Sequence, residues 1–113
     1  AYALQRLPLL VQDRPRFPHR EVLVDTARHW LSPRVLSRLV DAMAQVKLNV
    51  LHWHLVDSQA FPLCLPSLPS LCAQGALGPR ERYSRADVEA IVRRARARGI
   101  RVVAEVDVPG HAA

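Results

Sequence analysis

A chain of 113 residues, half of them apolar and 23% charged, has room for one domain and a packed core, which excludes wholesale disorder. No run of 18 apolar residues occurs, which excludes a helix able to span a bilayer. Fifteen arginines and one lysine against ten acidic residues leave a net charge of +6, but these cations are scattered, so no nucleic-acid partner is expected. The one dense run, Arg93, Arg94, Arg96, Arg98 and Arg101, falls on a predicted helix and its exit. It reads as a solvated outer face, with an anion-binding patch as the alternative.

Residues 1–16 form a lead-in whose Pro8 and Pro15 discourage regular structure. A first strand is predicted over about 20–26. Ser32-Pro33 then opens a helix to Lys47, with an N-cap serine followed by proline in the first helical position. Val35, Leu36, Leu39, Val40 and Met43 make its apolar stripe, and Asn49 is expected to end it with an unusual backbone angle. A second strand over 49–56 is apolar on both faces apart from its histidines, as suits a strand between a barrel interior and a helix layer. Residues 58–83, rich in Pro and Gly, read as a long irregular connection, usually a functional rim or a mobile insertion. Ser84 and Asp87 form a capping-box variant at the head of a second helix, with Val88, Ile91, Val92 and Ala95 as its buried stripe. Gly99 ends that helix, and a third strand over 100–106 follows at once.

Strand–helix–strand–helix–strand order implies parallel neighbours with right-handed crossovers, and hence an α/β fold. Three strands alone leave two unpaired edges and an uncovered face. The chain also has neither an initiator Met nor a signal-peptide layout, and it halts in a loop. It reads as a piece of something longer. Cys64 and Cys72 are close enough in sequence to close a small loop or to remain as buried thiols.

Each strand runs into polar residues at its carboxyl end, where strand–helix sheets place their ligands. Arg28 follows the first strand; its planar five-donor fork suits a pair of hydroxyls or a carboxylate, or simply pairing with Asp25. Asp57 ends the second strand, either held by loop amides or placed for chemistry. Asp107 and His111 share Asp-Val-Pro-Gly-His, whose Pro109-Gly110 turn can swing the imidazole back over the strand end. A histidine paired with an aspartate is a common catalytic or orienting pair, and also an ordinary structural contact. His52 and His54, two residues apart, point to one side of the second strand and invite a zinc reading, but no third ligand is evident. They read as core or supporting residues. Trp30 and Trp53 read as packing residues.

Three motifs together resemble the opening of the catalytic barrel of β-N-acetylhexosaminidases, the family-20 glycoside hydrolases, and in particular the lysosomal animal enzymes. They are Phe17-Pro-His-Arg-Glu-Val-Leu-Val-Asp-Thr-Ala-Arg-His29, Lys47-Leu-Asn-Val-Leu-His-Trp-His-Leu-Val-Asp57 and Arg98-Gly-Ile-Arg-Val-Val-Ala-Glu-Val-Asp-Val-Pro-Gly-His111. The resemblance implies a partial (β/α)8 TIM barrel: its first three parallel strands and two connecting helices in 17–113, after a linker in 1–16. It implies that Arg28 grips hydroxyls of a terminal N-acetylhexosamine, while Asp57, Asp107 and His111 support the site from behind. The implied activity is exo-hydrolysis of terminal GlcNAc or GalNAc from glycoconjugates. The substrate's acetamido oxygen attacks the anomeric carbon and configuration is retained, a departure from the two-carboxylate scheme. No cofactor and no metal are implied, and the full-length relative would be a lysosomal dimer.

An adjacent Asp-Glu pair supplies that family's acid chemistry, and none occurs in these 113 residues. The chain by itself is therefore expected to be inactive. Its alternatives are a non-catalytic truncated or decayed copy and a metal-dependent barrel hydrolase using His52 and His54. Two positions depart from the family pattern. Glu21 stands where Gly is usual, and Ser58 where a second acid is frequent.

Overall fold

The computed structural model of the chain describes residue 8 and residues 10–111. Much of the predicted lead-in lies outside the described residues, and its described part, from residue 10 onward, has no helix or strand. Six elements follow in order: β1 (Glu21–Asp25), α1 (Pro33–Gln45), β2 (Val50–Val56), α2 (Pro69–Gly75), α3 (Arg85–Arg96) and β3 (Arg101–Val106). The strands form one parallel sheet in the order β1-β2-β3. This is the expected α/β architecture, the first part of a strand–helix barrel.

Alternate residues of a strand face opposite sides, so one sheet face carries Val22, Val24, Leu51, Trp53, Leu55 and Val102. That face packs on Leu36, Val40 and Met43 of α1 and on Ile91 and Ala95 of α3. Burying each large apolar side chain of this layer contributes roughly 1.5–3 kcal/mol. Trp53 is fully buried; its indole N–H donates to Thr26 Oγ1 at 2.9 Å and its ring meets Tyr83 edge-on at 5.1 Å. Trp30 stacks on the other side of Tyr83 at 5.8 Å. The opposite face carries Glu21, Asp25, His52, His54 and Glu105 alongside Leu23, Val50 and Val103. A barrel interior is ordinarily filled by branched apolar side chains, so this face is unusually polar.

Both helix starts form as their sequences require. Ser32 caps α1 with Pro33 behind it, and Ser84 with Asp87 makes a complete capping box on α3. The end of α1 differs from expectation. Lys47, not Asn49, takes the positive φ of 62°. The Asn49 amide is otherwise engaged: Oδ1 accepts the Arg20 backbone N–H at 2.9 Å and Nδ2 donates to the Pro18 carbonyl at 2.7 Å. That bridge ties the segment just before β1 to the start of β2. Val35 and Val92, assigned to the buried stripes, are 44% and 40% exposed. They sit at the margins of stripes whose centres alone meet the three-stranded sheet.

The connection 58–83 is irregular for most of its length but contains one short helix. Pro69 starts α2, a position where its missing N–H costs nothing. A Cys64–Cys72 disulfide staples that helix to the preceding segment, and Tyr83 is fully buried beneath it. The α2 end lies against Phe61, whose N–H donates to the Gly75 carbonyl at 2.7 Å. In the arginine run, Arg94 and Arg98 both bind Asp41 of α1, and Arg93 pairs with Glu89, as does Arg85. That run is largely an ion-paired helix face.

Candidate functional site

The site is built at the carboxyl ends of the strands. Asp25, the last residue of β1, turns the chain by accepting the backbone N–H groups of Ala27 and Arg28 on Oδ1, at 2.9 and 3.1 Å. This side-chain turn is a standard use of a strand-end aspartate. Its Oδ2 accepts Arg28 Nη1 at 2.7 Å, which swings the guanidinium toward the end of β2. There Nη2 meets Asp57 Oδ2 at 2.6 Å and Nε donates to Gln59 Oε1 at 2.9 Å. The guanidinium is thus held by three acceptors from two loops. Its side chain stays 44% exposed while Asp57 is 2% exposed. The aspartates lock the fork from behind and leave a face open to solvent.

Asp57 is fixed on its own side as well. Its backbone exchanges two hydrogen bonds with Ala60, each 3.1 Å, closing a tight turn that also places Gln59 beside Arg28. Oδ1 accepts the Ser58 N–H at 2.7 Å and the Ser58 hydroxyl at 3.2 Å. Burial by itself would push this carboxyl up. The Ser58 donors, His54 and Arg28 outweigh it and hold the pKa at about 2. So low a value makes Asp57 a poor proton donor at any working pH, and an effective fixed anion. A cleft of about 460 Å³ opens beside it, with Ser58, Gln59, Phe61, Leu71 and Gln74 in its walls.

After β3, His111 Nδ1 lies 3.4 Å from Asp57 Oδ1 and 3.2 Å from Asp107 Oδ2, with its side chain 62% exposed. The Val108–Pro109 bond in this turn is cis. Arg28, Asp57, Asp107 and His111 therefore share one mouth, contributed by three different strand ends.

Two further participants complete the site: Glu105, which the sequence did not single out, and His54, read there only as a core or supporting residue. His54 lies between Asp25 and Glu105 in sheet register, so the three form one row across the strands. Its Nε2 is 2.9 Å from Asp57 Oδ2 and its Nδ1 is 3.0 Å from Glu105 Oε2. Burial opposes charging this ring, but the Glu105 and Asp57 carboxylates prevail and raise its pKa. Glu105 is lowered by its hydrogen bonds from His54 and His52. His52 carries the network away from the mouth, 2.6 Å from Glu105 on one nitrogen and 3.2 Å from Glu21 on the other. Aligning the three strands on their first residues, Glu21, Val50 and Arg101, would have revealed the row, because parallel strands in register bring equivalent positions side by side.

These contacts also bear on metal binding. All four ring nitrogens of His52 and His54 face carboxylate oxygens at 2.6–3.2 Å, leaving no shared lone pairs for an ion. His54, Asp57 and Asp107 do place possible ligand atoms within 4.8 Å of one another. Asp57 Oδ2, however, already serves Arg28 and His54. The residues present fit an ion-paired cluster better than a metal centre.

Residues 17–113 match the model of the glycosyl hydrolase family 20 catalytic domain. The chain belongs to glycosyl hydrolase family 20. Among curated relatives of this family 20 chain, it is 50% identical over 109 residues to beta-hexosaminidase 1 of Arabidopsis thaliana, covering 96% of the chain and 20% of the relative. It is 46% identical over 101 residues to the beta-hexosaminidase subunit beta of Mus musculus, covering 89% and 19%. The chain thus spans about a fifth of the length of these relatives. Among solved structures, the Flavobacterium johnsoniae chitobiase superposes with a TM-score of 0.80 at 40% identity, over 86% of this chain and 14% of that one. An exo beta-N-acetylglucosaminidase of Vibrio harveyi, solved with N-acetylglucosamine, superposes with a TM-score of 0.79 at 32% identity, over 88% and 18%.

Glu21 and Ser58, expected to depart from the family pattern, both make contacts at or near the site. Glu21 binds His52 and also His19, at 3.2 and 3.1 Å. Ser58 supplies two donors to Asp57. No described helix is long and apolar enough to cross a membrane.

Proposed function

We propose that this chain supplies the sugar-gripping side of a β-N-acetylhexosaminidase active site, which removes terminal N-acetylhexosamine from glycoconjugates. The observation that carries the reading is the half-exposed Arg28 fork, locked between Asp25 and Asp57 at a strand-end mouth. A planar fork fixed in advance binds vicinal hydroxyls without spending rotamer entropy on capture. Arg28 is the substrate-binding residue; Asp57, Asp107 and His111 support it and orient the acid of the full-length enzyme.

The hydrolysis itself is substrate-assisted and retaining. Its Asp-Glu pair lies on another part of the full-length protein, and the 113 residues alone have no turnover. Residues 1–16 act as the linker into the catalytic domain. The full-length protein works as a lysosomal dimer on glycolipid, glycoprotein or glycosaminoglycan ends. A strand ending in adjacent Asp and Glu must exist in that protein, and its absence would remove the reading.

Two measurements test it. N-acetylglucosamine titrated into the ¹⁵N-labelled chain should shift the Arg28 Nε–H signal, and a chromogenic N-acetylglucosaminide should not be cleaved. Turnover by residues 1–113 would contradict the division of labour. In the full-length enzyme, Arg28→Lys should keep the charge, lose the fork and raise KM by at least about tenfold, the scale of one lost charge-assisted hydrogen bond.

A further inference from the structure

His54 is clamped from three sides, and its contacts conflict. Glu105 Oε2 faces Nδ1 at 3.0 Å, Asp57 Oδ2 faces Nε2 at 2.9 Å, and Arg28 Nη1 lies 3.3 Å from the same Nε2. The side chain is 8% exposed, so water cannot readily resolve the conflict. A neutral imidazole has one proton, and either tautomer turns a lone pair toward a carboxylate oxygen. A charged ring satisfies both carboxylates but presents an N–H to Arg28, which is also a donor.

Only two arrangements are self-consistent. In the charged one, His54 bridges Glu105 and Asp57, and Arg28 Nη1 is left to Asp25, its partner at 2.7 Å. In the neutral one, Glu105 keeps the Nδ1 proton and the bare Nε2 accepts from Arg28 Nη1. Asp57 then loses a donor, and the guanidinium is drawn back toward β2.

We propose that His54 is a positioning residue whose proton selects between these arrangements and so sets whether the Arg28 fork is presented at the mouth. The groups facing it favour the charged form. Glu105 approaches from β3, Asp57 from beyond β2, Asp25 from the last position of β1 and Arg28 from just beyond it. His52 stands behind Glu105, while His111 and Asp107 stand behind Asp57. The consequence for sugar affinity rests on the binding role proposed above for Arg28; the proton switch does not.

The experiment follows the ring itself. Two-bond ¹H–¹⁵N spectra of the histidine-labelled 113-residue chain are recorded from pH 5 to pH 9. His54 should titrate above the ordinary histidine value, and should keep its last proton on Nδ1 when it does. Glu105→Gln should lower that midpoint by about one unit or more, the scale of a lost opposite charge. A midpoint at or below the ordinary histidine value, or a last proton on Nε2, overturns the proposal, as does a midpoint indifferent to Glu105→Gln. Should that variant fail to fold, Glu105→Asp and the unmodified chain's own titration decide the matter. N-acetylglucosamine affinity should then fall at least about fivefold as His54 deprotonates. His54 titrating as described with no sugar bound at any pH would uphold the switch and sink the sugar-binding role instead.

Discussion

Arg28 and Asp57 meet at 2.6 Å across the ends of β1 and β2, with the guanidinium half in solvent and the carboxylate 2% exposed. Neither group is accounted for without the other. Asp57 is a buried anion made tolerable by its donors, and Arg28 is a surface cation made rigid by its acceptors. The pair fixes where one strand end sits against the next.

Removing the cation should therefore register on the anion. In Arg28→Ala, the Asp57 carboxyl should titrate measurably above its value of about 2, because one of the groups holding it down is gone. The ¹³C-carboxyl shift of Asp57 followed from pH 2 to pH 6 reports this directly. An unchanged titration would mean that Ser58 and His54 alone set the site's charge.

Stability should decline on both sides of a mildly acidic optimum. Asp57 is depressed from 3.8 to about 2, so its contribution is complete above the unfolded value and is lost as pH falls toward 2. His54 is raised from 6.5, so its contribution is complete below that value and is lost as pH rises through the folded one. Urea midpoints measured from pH 2 to pH 9 should show both declines. Asp57→Asn should blunt the acid limb, and His54→Gln the alkaline one.

Tyr83 tests the packing beneath the site. Its hydroxyl donates to the Leu31 carbonyl at 2.5 Å and accepts the Leu31 N–H at 3.3 Å. Burial pushes its pKa up to about 12. Tyr83→Phe leaves both Leu31 groups without this partner and should cost about 1–3 kcal/mol in chemical denaturation. A cost near zero would show that the loop after β1 is not anchored through this residue.

The staple on α2 makes a separate prediction. Cys64 and Cys72 close a loop of eight residues, for which chain entropy gives about 2.5 kcal/mol. The double Cys→Ser variant should lower the urea midpoint accordingly, and a reductant should do the same to the parent chain. Gly75→Ala should add to the damage, because its Cβ would fall 2.8 Å from the Phe61 Cβ.

Strand and helix starts were readable because their signals are local. Ser32-Pro33 and Ser84-x-x-Asp87 cap helices through groups within three residues of one another, whatever the rest of the chain does. The end of α1 was not readable, since Asn49 is claimed by Arg20 and Pro18 rather than by its own helix. The helix within 58–83 is masked in the sequence by prolines, which ordinarily break helices, whereas Pro69 occupies a first-turn position. For the site, Arg28, Asp57, Asp107 and His111 stood out by following strands. His54 reads from sequence only as a core or supporting histidine and Glu105 does not stand out, because each lies within a strand and acquires a role only from its neighbours in register.

Residue order alone determined the alternation of strands and helices, the caps that start the helices, and the family, for these depend on patterns read along the chain. Tertiary structure alone decided which carboxylate faces which cation, that Cys64 and Cys72 are bridged, and that His54 sits between Asp57 and Glu105. The physical reason is range. Propensity and capping act over one or two turns, whereas a buried charge is set by partners that only strand register brings within 3 Å.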